Sequence, residues 1–248
     1  RRPPRSTQGV SSAASDVYKR QLMNLKLIYF KMRALAEAPR ILFHFTGIKF
    51  EDLMSWEYYG EDWSITKPKV SFKQLPVLII DDKHEIAQSI AILNYIEKIA
   101  GIEIKDQIQS AKADAILQSA QELFAPLNPT VNLATGENFI EKKDMMKPML
   151  MSRFDDFDRA LNSGGKKFFI DDKPHACDFA VFHHLDLSKK LDETLIVKFP
   201  RLEKFIYDIS EIDSVANYLN NRPKLIDVSI EPKLIINGKP HPTGVKQT

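Results

Sequence analysis

The sequence predicts an α/β domain followed by an all-α domain. In the first part of the chain, short apolar runs such as residues 25–30 and 77–80 alternate with stretches whose apolar residues recur three and four apart. After about residue 106 the strand signals mostly stop and the helical spacing continues alone. A chain of 248 residues is long for one compact domain and suits two that share an interface.

The first domain is predicted over residues 23–101, with a mixed four-stranded sheet in the order βαβαββα. A buried strand at residues 25–30 precedes a helical pattern that ends at Gly47, a typical helix stop. Residues 48–56 alternate like a second strand, and apolar runs on both sides of an Asp-Asp turn predict a hairpin. A last helix runs from residue 89 to Gly101.

The helical domain is predicted over residues 106–223, as a bundle whose helices each carry one apolar face. Residues 224–248 follow as an extension, which contains an Asn-Gly and forms either a small hairpin or an extended segment on the body. Residues 1–22 are basic and contain no apolar period, so we interpret them as a disordered or targeting arm, or as a non-native extension before Met23.

Composition excludes several classes of protein. A net charge of +2 gives no reason to expect a nucleic-acid partner. The sequence contains no run of about 18 apolar residues, so it predicts no membrane span. The one cysteine, Cys177, rules out an internal disulfide and a Cys-x-x-Cys redox pair, and a reducing, cytoplasmic setting fits best.

Three residues indicate a site on the first domain. Tyr29 ends the first strand, where α/β sheets place their ligands, and its hydroxyl can donate to a thiolate and lower the pKa of that thiol. Pro76 opens a core strand, which makes sense if its peptide bond is cis and exposes the backbone of Leu75 to a bound peptide. Ser89 begins a helix, where free N–H groups favour a carboxylate. The alternatives are a core tyrosine, an ordinary turn proline and a plain helix cap.

Four segments together resemble the cytosolic glutathione transferases, and specifically the sigma class that includes the haematopoietic prostaglandin D synthases. The strand LKLIYFKMRALAE is similar to the opening of that class, and DWSITKPKVSFKQLPVL matches its Asp-Trp-x-x-x-Lys to Pro-Val-Leu pattern without a gap. AQSIAILNYI and FPRLEKFIYDISEIDSVANYLNNRP match its Gln-Ser segment and its closing helix. The resemblance spans roughly residues 24–223. It implies a thioredoxin-like first domain.

The resemblance also implies the roles of individual residues. Tyr29 would be the catalytic hydroxyl, with Arg33 on its side of the site, and glutathione would be the co-substrate. Its glycyl carboxylate would bind Trp63 and Lys67, with Gln74 nearby. Its cysteinyl unit would pair with the backbone of Leu75, and its γ-glutamyl end would bind Gln88 and Ser89. Glu122 would reach the γ-glutamyl amine of the glutathione that is bound by the partner subunit, which implies a homodimer. A small hydrophobic electrophile would lie against Phe30, Phe124 and Pro126.

The chain departs from the class pattern at four places. Met-Arg-Gly-Arg becomes Met32-Arg33-Ala34-Leu35, so the arginine that supports the tyrosine is replaced by Leu35. Phe-Gly-Lys becomes Phe72-Lys73-Gln74. The helix that usually begins Ser/Thr-x-x-Asp begins with His175 and Asp178. Gln118 and Gln121 replace aspartates that bind a divalent metal in the vertebrate synthase, and we therefore expect no metal.

These residues predict a glutathione transferase that activates the glutathione thiol with a tyrosine hydroxyl. The activated thiol would be conjugated to small electrophiles or used to reduce peroxides. A prostaglandin D isomerase is the alternative within the class, and a non-catalytic, crystallin-like binding protein is the alternative outside it. Cys177 is expected to be a packed thiol rather than a nucleophile. His183 and His184, with Asp186, resemble a metal cluster, but neighbours on a helix point in different directions, so we expect a solvated or half-buried pair.

Overall fold

The computed structural model describes residues 23–223, 235–236 and 239–240. The expectation for residues 1–22 lies outside the described residues. In the C-terminal stretch, Ile235–Ile236 pairs antiparallel with Lys239–Pro240, which agrees with the hairpin alternative. No helix within the described ranges is long and apolar enough to cross a membrane.

The N-terminal domain is built on a mixed four-stranded sheet, as predicted. Its strand order is β2-β1-β3-β4, with β1 parallel to β2 and β3 antiparallel to both of its neighbours. The strands are β1 (Leu25–Tyr29), β2 (Glu51–Met54), β3 (Val77–Ile80) and β4 (His84–Ala87). The helices are α1 (Ala34–Thr46), the short α2 (Ser55–Tyr59) and α3 (Trp63–Thr66), and α4 (Ser89–Ala100).

Local sequence signals explain the ends of the two long helices in this domain. Both α1 and α4 stop at a glycine in the left-handed region, with φ of 69° at Gly47 and 73° at Gly101. The central strand β1 is buried at Leu25, Leu27 and Ile28 because α/β sheets of this kind are covered on both faces.

The C-terminal domain is helical in the described residues. Residues 101–106 connect α4 to it, and the side chain of Asp106 caps α5 by accepting from the backbone N–H of Gln109 at 2.8 Å. Its helices are α5 (Gln107–Asn128), α6 (Gly136–Gly164), α7 (Ala176–Leu191), α8 (Glu193–Ile196), α9 (Pro200–Ser210) and α10 (Asp213–Asn221). The central helix α7 packs against α5, α9 and, across the domain boundary, α1.

Two residues adopt a positive φ where the class pattern has glycine. Ala34 has a φ of 33° and Lys73 a φ of 54°. A Cβ atom makes this region unfavourable, so each substitution costs backbone strain. Ala34 lies directly before Leu35, at the start of α1, and the strain therefore sits next to the predicted tyrosine site.

Candidate active site

The register of the sheet brings the three predicted site segments together. Ile28 of β1 lies opposite Val77 of β3, and Val77 lies opposite Ala87 of β4. Continuing this register by one residue aligns Tyr29, Pro76 and Gln88 at one edge of the sheet. The peptide bond between Leu75 and Pro76 is cis.

Tyr29 is buried, with 5% of its surface exposed. The backbone N–H of Leu35 donates to its hydroxyl oxygen at 3.3 Å, and the guanidinium carbon of Arg40 lies 6.0 Å from its ring centroid. Burial raises the pKa of Tyr29 to about 12, against the opposing effects of the Leu35 hydrogen bond and the Arg40 charge. The hydroxyl is therefore protonated at neutral pH and has a hydrogen to donate.

Two further aromatic rings lie in a row beside Tyr29. The ring of Phe30 lies 5.3 Å from that of Tyr29 and 5.4 Å from that of Trp63, the latter in an edge-on arrangement. Trp63 begins α3, and Lys67 follows one turn later with its side chain exposed. A half-buried indole thus lies beyond Phe30, and a solvated cation follows it four residues later in the chain.

A cluster of amides and one hydroxyl lies on the β3–β4 side of Tyr29. Gln88 donates through Nε2 to Oε1 of Gln74 at 3.5 Å, and both side chains are exposed. Ser89 is the first residue of α4 and is buried, with its hydroxyl accepting from Nε2 of Gln121 at 3.1 Å. The free N–H groups at this helix end favour an anionic ligand group.

Gln121 contacts the candidate site through Ser89, whereas the sequence identified it only as a replaced metal ligand. The available signal was its position on α5, one turn from the buried Leu117 and Phe124, which turns it toward the body of the protein. Its neighbour Glu122 points outward and forms an ion pair with Arg153 at 3.0 Å within the same chain. The reach of Glu122 into a partner subunit stays a prediction.

The residues predicted for the electrophile site are separated by the structure. Phe124 is buried and stacks on His184, with ring centroids 4.7 Å apart. Pro126, two positions further along the same helix, is exposed. Residues two apart on a helix do not share a face, so Phe124 and Pro126 cannot line one wall together.

The histidine pair contradicts our expectation of a solvated or half-buried arrangement. His183 is 0% exposed and His184 2% exposed, because α7 is the central helix of its domain and is covered on nearly every side. Burial lowers the pKa of His184 to about 3 and holds the pKa of His183 well below its usual range, helped by the nearby Arg33 charge. Both rings are neutral.

Arg33 faces the helical domain. Its guanidinium is 1% exposed, forms an ion pair with Asp186 and lies 3.4 Å from Nδ1 of His183. It joins the domains directly behind the Ala34–Leu35 turn, and its contact with glutathione stays a prediction. Cys177 is buried, and burial raises the pKa of its thiol, which agrees with a packed thiol.

Comparison with known proteins identifies this arrangement. The glutathione S-transferase N-terminal domain model matches residues 25–98, and the C-terminal domain model matches residues 127–222. The hematopoietic prostaglandin D synthase of Gallus gallus is 31% identical over 208 residues, covering 81% of this chain and 98% of that protein. Glutathione S-transferase 1 of Ascaris suum is 28% identical, covering 80% of this chain and 97% of that protein.

Two solved structures agree with these relatives. The Pi-class glutathione S-transferase of Onchocerca volvulus superposes with a TM-score of 0.70 at 25% identity, covering 80% of this chain and 93% of that one. The rat hPGDS complexed with a quinoline gives a TM-score of 0.68 at 27% identity, covering 82% of this chain and 100% of that one. The chain belongs to the glutathione S-transferase family. It is a glutathione transferase with a thioredoxin-like domain and a helical domain.

Proposed function

We propose that this glutathione transferase activates the thiol of glutathione with the Tyr29 hydroxyl. The resulting thiolate is transferred to small hydrophobic electrophiles. The tyrosine hydroxyl donates a hydrogen bond to the glutathione sulfur, which stabilises the thiolate relative to the thiol. The thiol proton passes to solvent, the thiolate attacks the electrophilic carbon to form the sulfur–carbon bond, and the leaving group departs with the electron pair of the bond that breaks. The observation that carries the proposal is the position of Tyr29, which lies at the edge of the sheet beside the cis Pro76 and whose hydroxyl oxygen accepts from the backbone N–H of Leu35.

The residues around Tyr29 suit the three parts of glutathione. The cation of Lys67 and the indole N–H of Trp63 suit the glycyl carboxylate, with Gln74 nearby. The backbone of Leu75, before the cis Pro76, suits antiparallel pairing with the cysteinyl unit. Gln88, Ser89 and the N-terminus of α4 suit the charged γ-glutamyl end. Arg33 is proposed to complete the set, which requires its guanidinium to turn from Asp186 toward glutathione.

The electrophile is proposed to lie between the two domains, beside Tyr29. Phe30 is proposed to form the wall from the N-terminal domain, Phe124 lies buried behind the wall from the helical domain, and Pro126 contacts the electrophile from a separate, exposed position on α5. The stacked and buried pair of Phe124 and the neutral His184 makes the layer behind this wall aromatic and uncharged. Small, largely apolar electrophiles are the substrates that such a surface favours.

A homodimer is part of the proposal, with Glu122 reaching the γ-glutamyl amine of the partner's glutathione. Exposed apolar side chains support an interface, since Phe72 is 74% exposed on the turn before the cis-proline and Met145 is 79% exposed on α6. A sigma-class assignment and a cytoplasmic location complete the proposal.

A prostaglandin D isomerase is a second candidate, favoured by the prostaglandin D synthase among the relatives. It is weakened by Leu35, which replaces the supporting arginine, and by Gln118 and Gln121, which replace the aspartates of the vertebrate synthase. The non-catalytic, crystallin-like alternative predicts glutathione binding without turnover of any electrophile.

Conjugation of a chloronitrobenzene substrate tests the proposal. We expect Tyr29→Phe to lower kcat/KM by about 100-fold, because one hydrogen-bond donor to the developing anion is removed. Tyr95→Phe is the matched control, because Tyr95 lies at the opposite end of β1, next to Met23, and should retain wild-type activity. Equal rates for Tyr29→Phe and the wild type would overturn the role of Tyr29.

Two further assays separate the alternatives. A wild type that binds a glutathione matrix but conjugates nothing favours the non-catalytic protein. Formation of the D-type prostaglandin from an endoperoxide at a rate well above conjugation favours the isomerase. Reduction of an organic hydroperoxide tests whether the same thiolate also serves as a peroxidase.

A further inference from the structure

A buried positive charge lies against the ring of Tyr29. Arg40 of α1 is 0% exposed, and its guanidinium carbon is 6.0 Å from the tyrosine ring centroid. The side chain at residue 35, where the sigma class has a supporting arginine, is an uncharged leucine. We propose that Arg40 supplies the electrostatic support that Leu35 cannot give, and stabilises the glutathione thiolate from behind the phenol ring. This inference rests on the proposed function, since it concerns the same thiolate.

The sheet register explains why Arg40 is held in this place. Asp52 of β2 lies opposite Leu27 of β1, two residues before Tyr29, so Asp52 and Tyr29 project from the same face of the sheet. Helix α1 covers that face. Arg40 donates through Nε to Asp52 at 2.8 Å and through Nη1 to the backbone carbonyl of Met32 at 2.9 Å.

The acidic partners of Arg40 cancel only part of its charge at the tyrosine. Glu37 lies 3.5 Å from Nη1 of Arg40, but it also pairs with Arg222 at 2.9 Å and with Arg33 at 3.7 Å, and it accepts from Tyr218 at 3.1 Å. Asp52 is bonded at the Nε edge of the guanidinium. The Arg40 charge acts to lower the pKa of the phenol, as expected of a cation held against the ring. In the Arg40–Asp52 ion pair, the guanidinium of Arg40 is therefore the member that faces the site.

This arrangement predicts opposite effects from the two members of one ion pair. Removing the Arg40 charge raises the pKa of the bound thiol, because an attractive charge for the thiolate is lost. Removing the Asp52 charge lowers that pKa, because the Arg40 charge is then less compensated. A purely structural role predicts a different outcome, in which loss of either partner disturbs the site in the same direction.

The test is a titration of glutathione bound to the full chain, followed by the ultraviolet absorbance of the thiolate. We expect Arg40→Met to raise the thiol pKa by about one unit, a tenfold loss of thiolate below that pKa. We expect Asp52→Asn to lower it by about half a unit, and Arg40→Lys to fall between Arg40→Met and the wild type. Arg40→Met leaves Glu37 and Asp52 without this partner. The double variant Arg40→Met/Asp52→Asn removes one charge of each sign and so keeps the net charge. It should also show a raised pKa of the bound thiol.

The outcomes also separate this inference from the proposed function. If Tyr29→Phe raises the thiol pKa while Arg40→Met and the double variant leave it at the wild-type value, the inference is wrong and the function of Tyr29 stands. A raised thiol pKa in Asp52→Asn likewise overturns the inference. If Tyr29→Phe leaves the thiol pKa unchanged, the proposed function fails, and the role of Arg40 fails with it.

Discussion

The backbone N–H of Leu35 donates to the hydroxyl oxygen of Tyr29 across 3.3 Å. An N–H that occupies a lone pair of the oxygen leaves the hydroxyl hydrogen to point elsewhere, and it polarises the O–H bond in the direction that makes it a better donor. The contact is made by the main chain, so it survives the replacement of arginine by leucine at this position. The proposed activation of the thiol at Tyr29 therefore keeps this main-chain contribution whatever side chain residue 35 carries.

Restoring the arginine at residue 35 should strengthen that activation. We expect Leu35→Arg to lower the pKa of bound glutathione by about one unit, or about 1.4 kcal/mol in favour of the thiolate, because a second cation is placed beside the tyrosine. Leu35→Met keeps the backbone amide and adds no charge, so it should retain the wild-type pKa. Equal pKa values for the arginine and methionine variants would show that charge at residue 35 has no effect on the thiol.

The positive φ of Ala34 predicts a stabilising substitution. Ala34→Gly should raise the free energy of unfolding by about 1 kcal/mol, because glycine adopts a φ of 33° without the Cβ strain. Ala38→Gly, at an ordinary position within α1, should lower it by about 1 kcal/mol. Urea unfolding of the three proteins provides the measurement, and a destabilised Ala34→Gly would contradict the strain argument.

The exposed ring of Phe72 predicts an effect on association. If the homodimer buries this ring, Phe72→Ser removes about 2 kcal/mol of apolar burial per subunit and shifts the protein toward monomers. Tyr207→Ser is the control, because Tyr207 is 61% exposed on α9, away from this turn. Sedimentation velocity over a range of concentrations distinguishes the two variants. A wild type that is monomeric throughout would exclude the dimer and the role of Glu122 in a partner's site.

The interdomain contact at His175 predicts a pH dependence of stability. His175 binds Glu97 of α4 at 3.0 Å and Asp171 at 3.2 Å, and Glu97 also accepts from the N–H of Ala176. Burial alone would lower the pKa of His175, but its hydrogen bonds and ion pairs with Glu97 and Asp171 prevail and raise it from 6.5 to about 9.

Since the folded pKa is raised, the stabilising contribution of His175 is fully present below about pH 6.5 and is lost as the pH rises through about 9. We expect the melting temperature to fall more between pH 7 and pH 9.5 in the wild type than in His175→Ser, which lacks this proton. The serine variant introduces a hydroxyl at the helix cap, as in the class pattern. If the melting temperature falls equally in both proteins, His175 is not the cause of the pH dependence.

Much of the fold could be predicted because its signals are local. Gly47 and Gly101 end helices where a left-handed residue is needed, and the hairpin between β3 and β4 follows from two apolar runs around a turn. The site segments could be found because Tyr29, Pro76 and Ser89 carry distinctive chemistry at strand and helix ends.

The contacts that the sequence did not predict are long-range. Arg33 meets Asp186 of α7, and Glu37 meets Arg222 at the far end of the helical domain, and nothing in the local patterns pairs these residues. The burial of His183 and His184 depends on how many neighbours surround α7, which the composition of α7 alone does not reveal. Gln121 was missed because its partner, the hydroxyl of Ser89, lies on another helix.

The pKa of glutathione bound to the wild type and to Tyr29→Phe tests the central claim most directly. The account predicts a wild-type thiol pKa well below its value in solution, and a rise of about one to two units in Tyr29→Phe, with glutathione affinity little changed. A thiol pKa that is the same in both proteins would contradict it, because the Tyr29 hydroxyl would then make no contribution to the thiolate.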